Sequence, residues 1–127
     1  LEKALALDPG IAGSWEDRAA IKAERRDFAG ALADIDRAIR LKPADANFHT
    51  TRGYILGLRR DLDGAIASFT ESLRLRPGHA YTHYNRGVAW WNKGDAAKAA
   101  ADYRAALKAD PGFALARQAL RELGQSP

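Results

Sequence analysis

Apolar and polar positions in this chain follow a helical period nested inside a longer one. His83, Gly87 and Trp90 fall at steps of four and three, which places them on one face of a helix. After Gly94-Asp95 a second helical pattern runs through Ala99, Tyr103, Ala106 and Leu107. Asp95 is placed to cap the second helix, its carboxylate accepting otherwise unpaired backbone N–H groups. Pro111 then stops that helix, because the residue before a proline is driven out of the α region. The same succession recurs at a constant interval, with prolines at 9, 43, 77 and 111 and aspartates at 27, 61 and 95. Arg18, Arg52 and Arg86 form another column, followed by the small residues Ala19, Gly53 and Gly87. Further columns are Ala31/Ala65/Ala99, Ile35/Phe69/Tyr103 and Ala38/Ser72/Ala106. A fixed period of this length signals a solenoid of identical supersecondary units.

The pattern predicts an all-α solenoid of stacked antiparallel helix pairs in a single domain spanning 1–127. Three full repeats occupy residues 12–45, 46–79 and 80–113. Residues 1–11 read as the end of a preceding repeat, and 114–127 as a C-terminal capping helix and tail. The Gly/Ala column of each first helix is expected to face the Ala column of the second, letting the axes approach closely.

The columns Trp15/Ala19/Lys22/Ala31/Ile35/Pro43, His49/Gly53/Leu56/Ala65/Phe69/Pro77 and His83/Gly87/Trp90/Ala99/Tyr103/Pro111 can be set against a known pattern. That pattern is W-x2-L-G-x2-Y, then A-x3-F, then P, and it returns once per repeat. The whole chain resembles the tetratricopeptide-repeat (TPR) family, and "YNRGVAWWNKGD" is similar to bacterial members. The resemblance implies a right-handed superhelix whose first helices line a concave groove that holds peptides or partner segments. Three positions depart from the pattern's leucine: Arg18, Arg52 and Arg86. Their stems are expected to cover apolar surface while the guanidinium reaches water or a carboxylate, with an anion-binding row as the alternative. Lys22 replaces the aromatic of the pattern, so a looser core is expected there.

Composition narrows the function. The net charge of +4 invites a nucleic-acid reading, but the cations concentrate where helices end, before Asp27, Asp61 and Asp95 and before the prolines. Such placement complements helix dipoles, and nucleic acid is not an expected partner. The chain has no cysteine, hence no disulfide and no thiol chemistry, a composition compatible with cytoplasm or periplasm. No apolar run approaches the roughly 20 residues needed to span a bilayer. The chain starts at Leu1 and contains no methionine, so it is expected to be a piece of a longer protein. No phosphate loop or patterned nucleophile points to an enzyme, and no cofactor is expected. His79 and His83 stand four apart, a spacing that can suit a metal, but His83 repeats His49 in a column begun by Trp15. Packing is the expectation and metal binding is not.

The faces of the first helices outside the core form the candidate binding groove. Repeat one contributes Glu16, Asp17, Ala20, Ala23 and Glu24; repeat two Asn47, Thr50, Thr51, Tyr54 and Leu58. Repeat three contributes Tyr81, Tyr84, Asn85, Val88, Trp91 and Asn92. The surface passes from acidic to aromatic and amide-bearing, suited to an apolar or mildly basic segment. For Tyr81 and Tyr84 the alternative is packing against the capping helix from Phe113. Of the doublet, Trp90 shares a column with Lys22 and Leu56 and is expected in the core; Trp91 aligns with Ala23 and Gly57 at the groove edge. The resemblance also locates the family's carboxylate clamp, whose positions carry Glu16, Ala20 and Thr51, with Tyr81 and Asn85 in the third repeat. The clamp is missing, so a chaperone tail of the EEVD type is not expected. The expected function is a non-catalytic scaffold or adaptor. The alternatives are self-assembly through the N-terminal half-repeat bearing Leu5 and Leu7, or the targeting arm of a larger enzyme.

Overall fold

The computed structural model describes residues 11–124. They form seven helices: α1 Ile11–Glu24, α2 Phe28–Leu41, α3 Ala46–Leu58, α4 Leu62–Leu75, α5 Ala80–Asn92, α6 Ala96–Ala109 and α7 Ala114–Glu122. No strand occurs among the described residues. Successive first helices begin at Ala46, Ala80 and Ala114, and successive second helices at Phe28, Leu62 and Ala96. Each α1–α2, α3–α4 and α5–α6 hairpin packs tightly within itself and stacks on the next, and α7 closes the stack against α6. Leu5 and Leu7 lie outside the described residues.

One device joins the two helices of every pair. Arg26, Arg60 and Gly94 adopt left-handed φ values of 64°, 70° and 90° just past α1, α3 and α5. There the Asp27, Asp61 and Asp95 N–H groups reach back to the Lys22, Leu56 and Trp90 carbonyls at 2.8, 2.9 and 3.0 Å. This is a Schellman ending, which closes the helix on its own last carbonyls. The same aspartates cap the following helix, their carboxylates accepting from the Gly30, Gly64 and Lys98 N–H groups at 3.0 Å. One residue thus ends one helix and starts the next.

In the second and third pairs the small column meets a bulky ring. A Cβ on Gly53 would lie 2.5 Å from the Phe69 ring, and one on Gly87 would lie 2.6 Å from the Tyr103 ring. The glycines make room for the bulky aromatic of the second helix, and Gly87 also approaches the Ala99 carbonyl of the alanine column. Trp15 is buried, with the guanidiniums of Arg18 and Arg37 at 4.9 and 4.6 Å from its ring.

The arginine column meets buried carboxylates. Arg86 donates to Asp102 at 2.8 and 2.9 Å, and Arg18 lies 3.5 Å from Asp34. In the middle repeat the equivalent position is Ser68, which Arg52 reaches at 3.1 Å. Arg52 and Arg86 also cross to the preceding repeat, at Asp36 and Thr70. Lys22, expected to loosen the core, instead sets its ammonium 2.9 Å from Asp34.

Candidate binding groove

Two cavities open between neighbouring first helices. The first, about 260 Å³, lies between α3 and α5 and is lined by Tyr54, Gly57 and Leu58 on one side and Asn85, Val88 and Asn92 on the other. Gly53, Arg60, Leu62, Phe69 and Ala89 complete its lining. The second, about 350 Å³, lies between α1 and α3, with Ala20, Ala23, Glu24 and Arg26 facing Thr51, Tyr54, Ile55 and Leu58. Tyr54 and Leu58 are the partition between them. Gly57 matters here because its nearest neighbour, the Ala65 Cβ, lies 3.9 Å from where a Cβ would sit, leaving the cavity wall open.

One lining residue of the α3–α5 cavity carries an unpaired donor. The Asn85 amide nitrogen is shielded from solvent and has no hydrogen-bond partner. A buried amide N–H costs free energy until something accepts from it. Arg60, exposed and left-handed, pairs with no carboxylate among the described residues. At the repeat-one end, Thr51 donates to Glu16 at 2.7 Å and Asp17 is exposed.

Of the expected groove residues, the structure brings together Tyr54, Leu58, Asn85, Val88 and Asn92. Thr50 is corrected: it is 8 % exposed and spent on the Ser72 and Thr82 hydroxyls at 2.6 and 2.9 Å. Tyr84 is corrected too, because its ring packs on Tyr103 at 5.8 Å and edge-on to Phe113 at 5.6 Å. Burial, with help from Glu122 and Tyr81, raises its phenol above the usual pKa. Tyr81 remains exposed and lines neither cavity.

Trp91, half exposed, also lines neither, since α5 meets α3 through Asn85, Val88, Ala89 and Asn92. Trp90 is partly buried against the α6–α7 cluster, with the Lys98 ammonium 4.4 Å from its ring. The two histidines are likewise occupied: His79 Nδ1 contacts the Thr82 hydroxyl at 2.8 Å and His83 Nδ1 contacts Asp102 at 2.9 Å.

The family model of the tetratricopeptide repeat matches residues 17–80 and 50–112. This chain belongs to the tetratricopeptide-repeat family. A search of curated proteins gives no significant sequence match. Among solved structures, the first TPR domain of human RPAP3 superimposes with a TM-score of 0.87 at 16 % identity, covering 92 % of each chain. The second human RPAP3 TPR domain, in complex with the HSP70 peptide SGPTIEEVD, gives 0.84 at 21 % identity, covering 94 % of this chain and all of that one. YrrB, described as a TPR protein with an unusual peptide-binding site, gives 0.80 at 25 % identity, covering 87 % of this chain and 57 % of that one. TPR domains are protein–protein interaction modules.

In this TPR stack, reasoning from sequence placed Gly57 at the groove edge but missed Arg60, Leu62, Phe69 and Ala89 as lining residues. The signal was present for Arg60: the residue before each capping aspartate is arginine twice and glycine once, at a position where glycine is the default. Helix-dipole electrostatics accounts for both arginines equally well and so masks it.

Proposed function

We propose that this TPR domain is a non-catalytic scaffold or adaptor that holds an extended segment of a partner protein in the groove of α1, α3 and α5. The observation that carries the reading is the apolar α3–α5 cavity lined by Asn85, whose amide nitrogen is buried and unpaired; a turn of that side chain presents it to a ligand. An apolar side chain fills such a cavity while its backbone carbonyl satisfies the amide, so affinity and orientation come from one contact. The peptide complexes of TPR structures with the same fold support this mode. They do not carry over the ligand. Glu16 stands at a position where the clamp would need a cation, and its carboxylate already accepts from Thr51. With Asp17 and Glu24 on the same helix, the repeat-one end suits apolar or mildly basic sequence and opposes an acidic tail there.

The test is selection of a random peptide library on the immobilised domain, followed by titration of the enriched peptides. Tyr54→Ala and Asn85→Ala are expected to weaken those peptides at least tenfold while circular dichroism and melting temperature hold. Unaltered affinity in both folded variants rejects the groove.

A further inference from the structure

The two cavities are the same site repeated. A shift of one full repeat carries Ala23 and Arg26 of the α1–α3 cavity onto Gly57 and Arg60 of the α3–α5 cavity, and Thr51 onto Asn85. In the third repeat both key positions change together: Trp91 stands where Ala23 and Gly57 keep the wall open, and Gly94 where the arginines stand. An L-residue with a side chain is strained in the left-handed region, which glycine enters freely. The chain keeps the strained arginine beside each small wall residue and reverts to glycine where the wall residue is tryptophan.

Charge separates the two cavities. Among the described residues, Arg60 is the one charged side chain lining the α3–α5 cavity, where it accompanies the unpaired Asn85 amide. In the α1–α3 cavity Glu24 accompanies Arg26, whose guanidinium lies 5.0 Å from the Phe28 ring. Asp17 lies exposed further along α1. The groove therefore offers a lone cation at the α3–α5 cavity and a carboxylate at the α1–α3 cavity. One helix, about 10 Å across, separates the cavities. A chain in the polyproline II conformation rises about 3.1 Å per residue and turns once every three, so residues three apart span the cavities with both side chains on one side.

We infer, building on the groove reading, that the domain reads a charged, two-anchor segment in fixed register. One apolar side chain enters the α3–α5 cavity with an adjacent carboxylate on Arg60. A second apolar side chain, three residues away, enters the α1–α3 cavity with an adjacent basic residue facing Glu24. Trp91 and Gly94 end the row of cavities on the repeat-three side.

The probes are fluorescein-labelled peptides with blocked termini, KKLSTLEE and its charge-reversed partner EELSTLKK, titrated by anisotropy. Both orders are needed because the charges fix the segment's orientation but not its chain direction. One order is expected to bind, and to lose about tenfold when the leucines stand two or four residues apart. Replacing its acids by lysine is expected to cost about fivefold on the wild type and nothing further on Arg60→Gly. Arg60→Gly installs the residue native at Gly94, so its melting temperature should not fall while affinity does. Gly57→Trp installs the residue native at Trp91 and should abolish binding with the fold intact. Indifference to spacing, or charge discrimination surviving in Arg60→Gly, overturns the register. If peptides bind through Tyr54 and Asn85 without these preferences, the groove stands and this inference alone fails. No binding of either order at millimolar peptide also overturns it, independently of the library selection.

Discussion

Asp102 holds its charge almost out of reach of water, at 4 % exposure. Burial opposes that charge, but the hydrogen bonds from His83 and Arg86 outweigh it and hold the carboxyl below its usual pKa. A depressed folded-state pKa stabilises the fold above the unfolded value and loses that contribution as pH falls. Unfolding free energy should therefore decline below about pH 4, and Asp102→Asn should flatten the decline. Urea denaturation across that range measures both. Arg86→Ala leaves a buried carboxylate with half its partners and should cost about 3 kcal/mol by the same assay. Ser68 marks the contrast, since a neutral hydroxyl at the same column gives Arg52 a lighter partner.

Elements were the most legible scale. A constant repeat period, three capping aspartates and the helix-ending prolines point to seven helices, because caps and breakers act through local backbone chemistry. The partner of each face was harder to see. Thr50 occupies the same column as Glu16 and Tyr84, yet one is spent on hydroxyls, one accepts from Thr51 and one packs on Phe113. Helical periodicity gives the direction of a side chain and not the identity of what it meets, and a solenoid offers two neighbours at similar angles. Trp91 shows the same gap, since its column gives its edge of α5 but not its absence from the α3–α5 cavity. The glycines define a sharper element-level expectation. Gly87→Ala places a methyl against both the Tyr103 ring and the Ala99 carbonyl, so it should lose about 1–3 kcal/mol despite alanine's better helix propensity. Chemical denaturation decides, and Gly13→Ala, where nothing lies within 4 Å, is the matched control that should not destabilise.

The whole molecule depends on how its last repeat is closed. Leu120 of α7 is fully buried in the cluster containing Tyr103 and Ala116, so Leu120→Ala should cost about 2–5 kcal/mol. The same closure raises the Tyr103 phenol to about 12, through burial first and then Tyr84, Glu122 and Asp102. A raised tyrosine pKa leaves stability unaffected below the unfolded value and removes it as pH climbs towards the folded one. An absorbance titration should show one phenol ionising near pH 12, and Tyr103→Phe should delete that step.

The junction of the second and third repeats rests on the contacts among His79, Thr82, Thr50 and Ser72, which end on the Ala46 carbonyl at 2.9 Å. A hydroxyl carries a single hydrogen. Ser72 gives its own to the carbonyl, so Thr50 must donate to Ser72 and Thr82 to Thr50, and His79 must supply Nδ1–H. The proton order across the junction consequently has one sense, dictated by a backbone oxygen at its far end. Neutral His79 is confined to one tautomer, and acid adds its proton at Nε2 without reversing a link. Burial lowers the pKa of this imidazole below 6.5, with Arg76 and His83 adding to the effect. Nitrogen-15 shifts should report a protonated Nδ1 on both sides of that titration. An unprotonated Nδ1 in the neutral form would mean that the arrow runs the other way. The seam between these repeats is thus polarised end to end, and it keeps its polarity when the histidine changes charge.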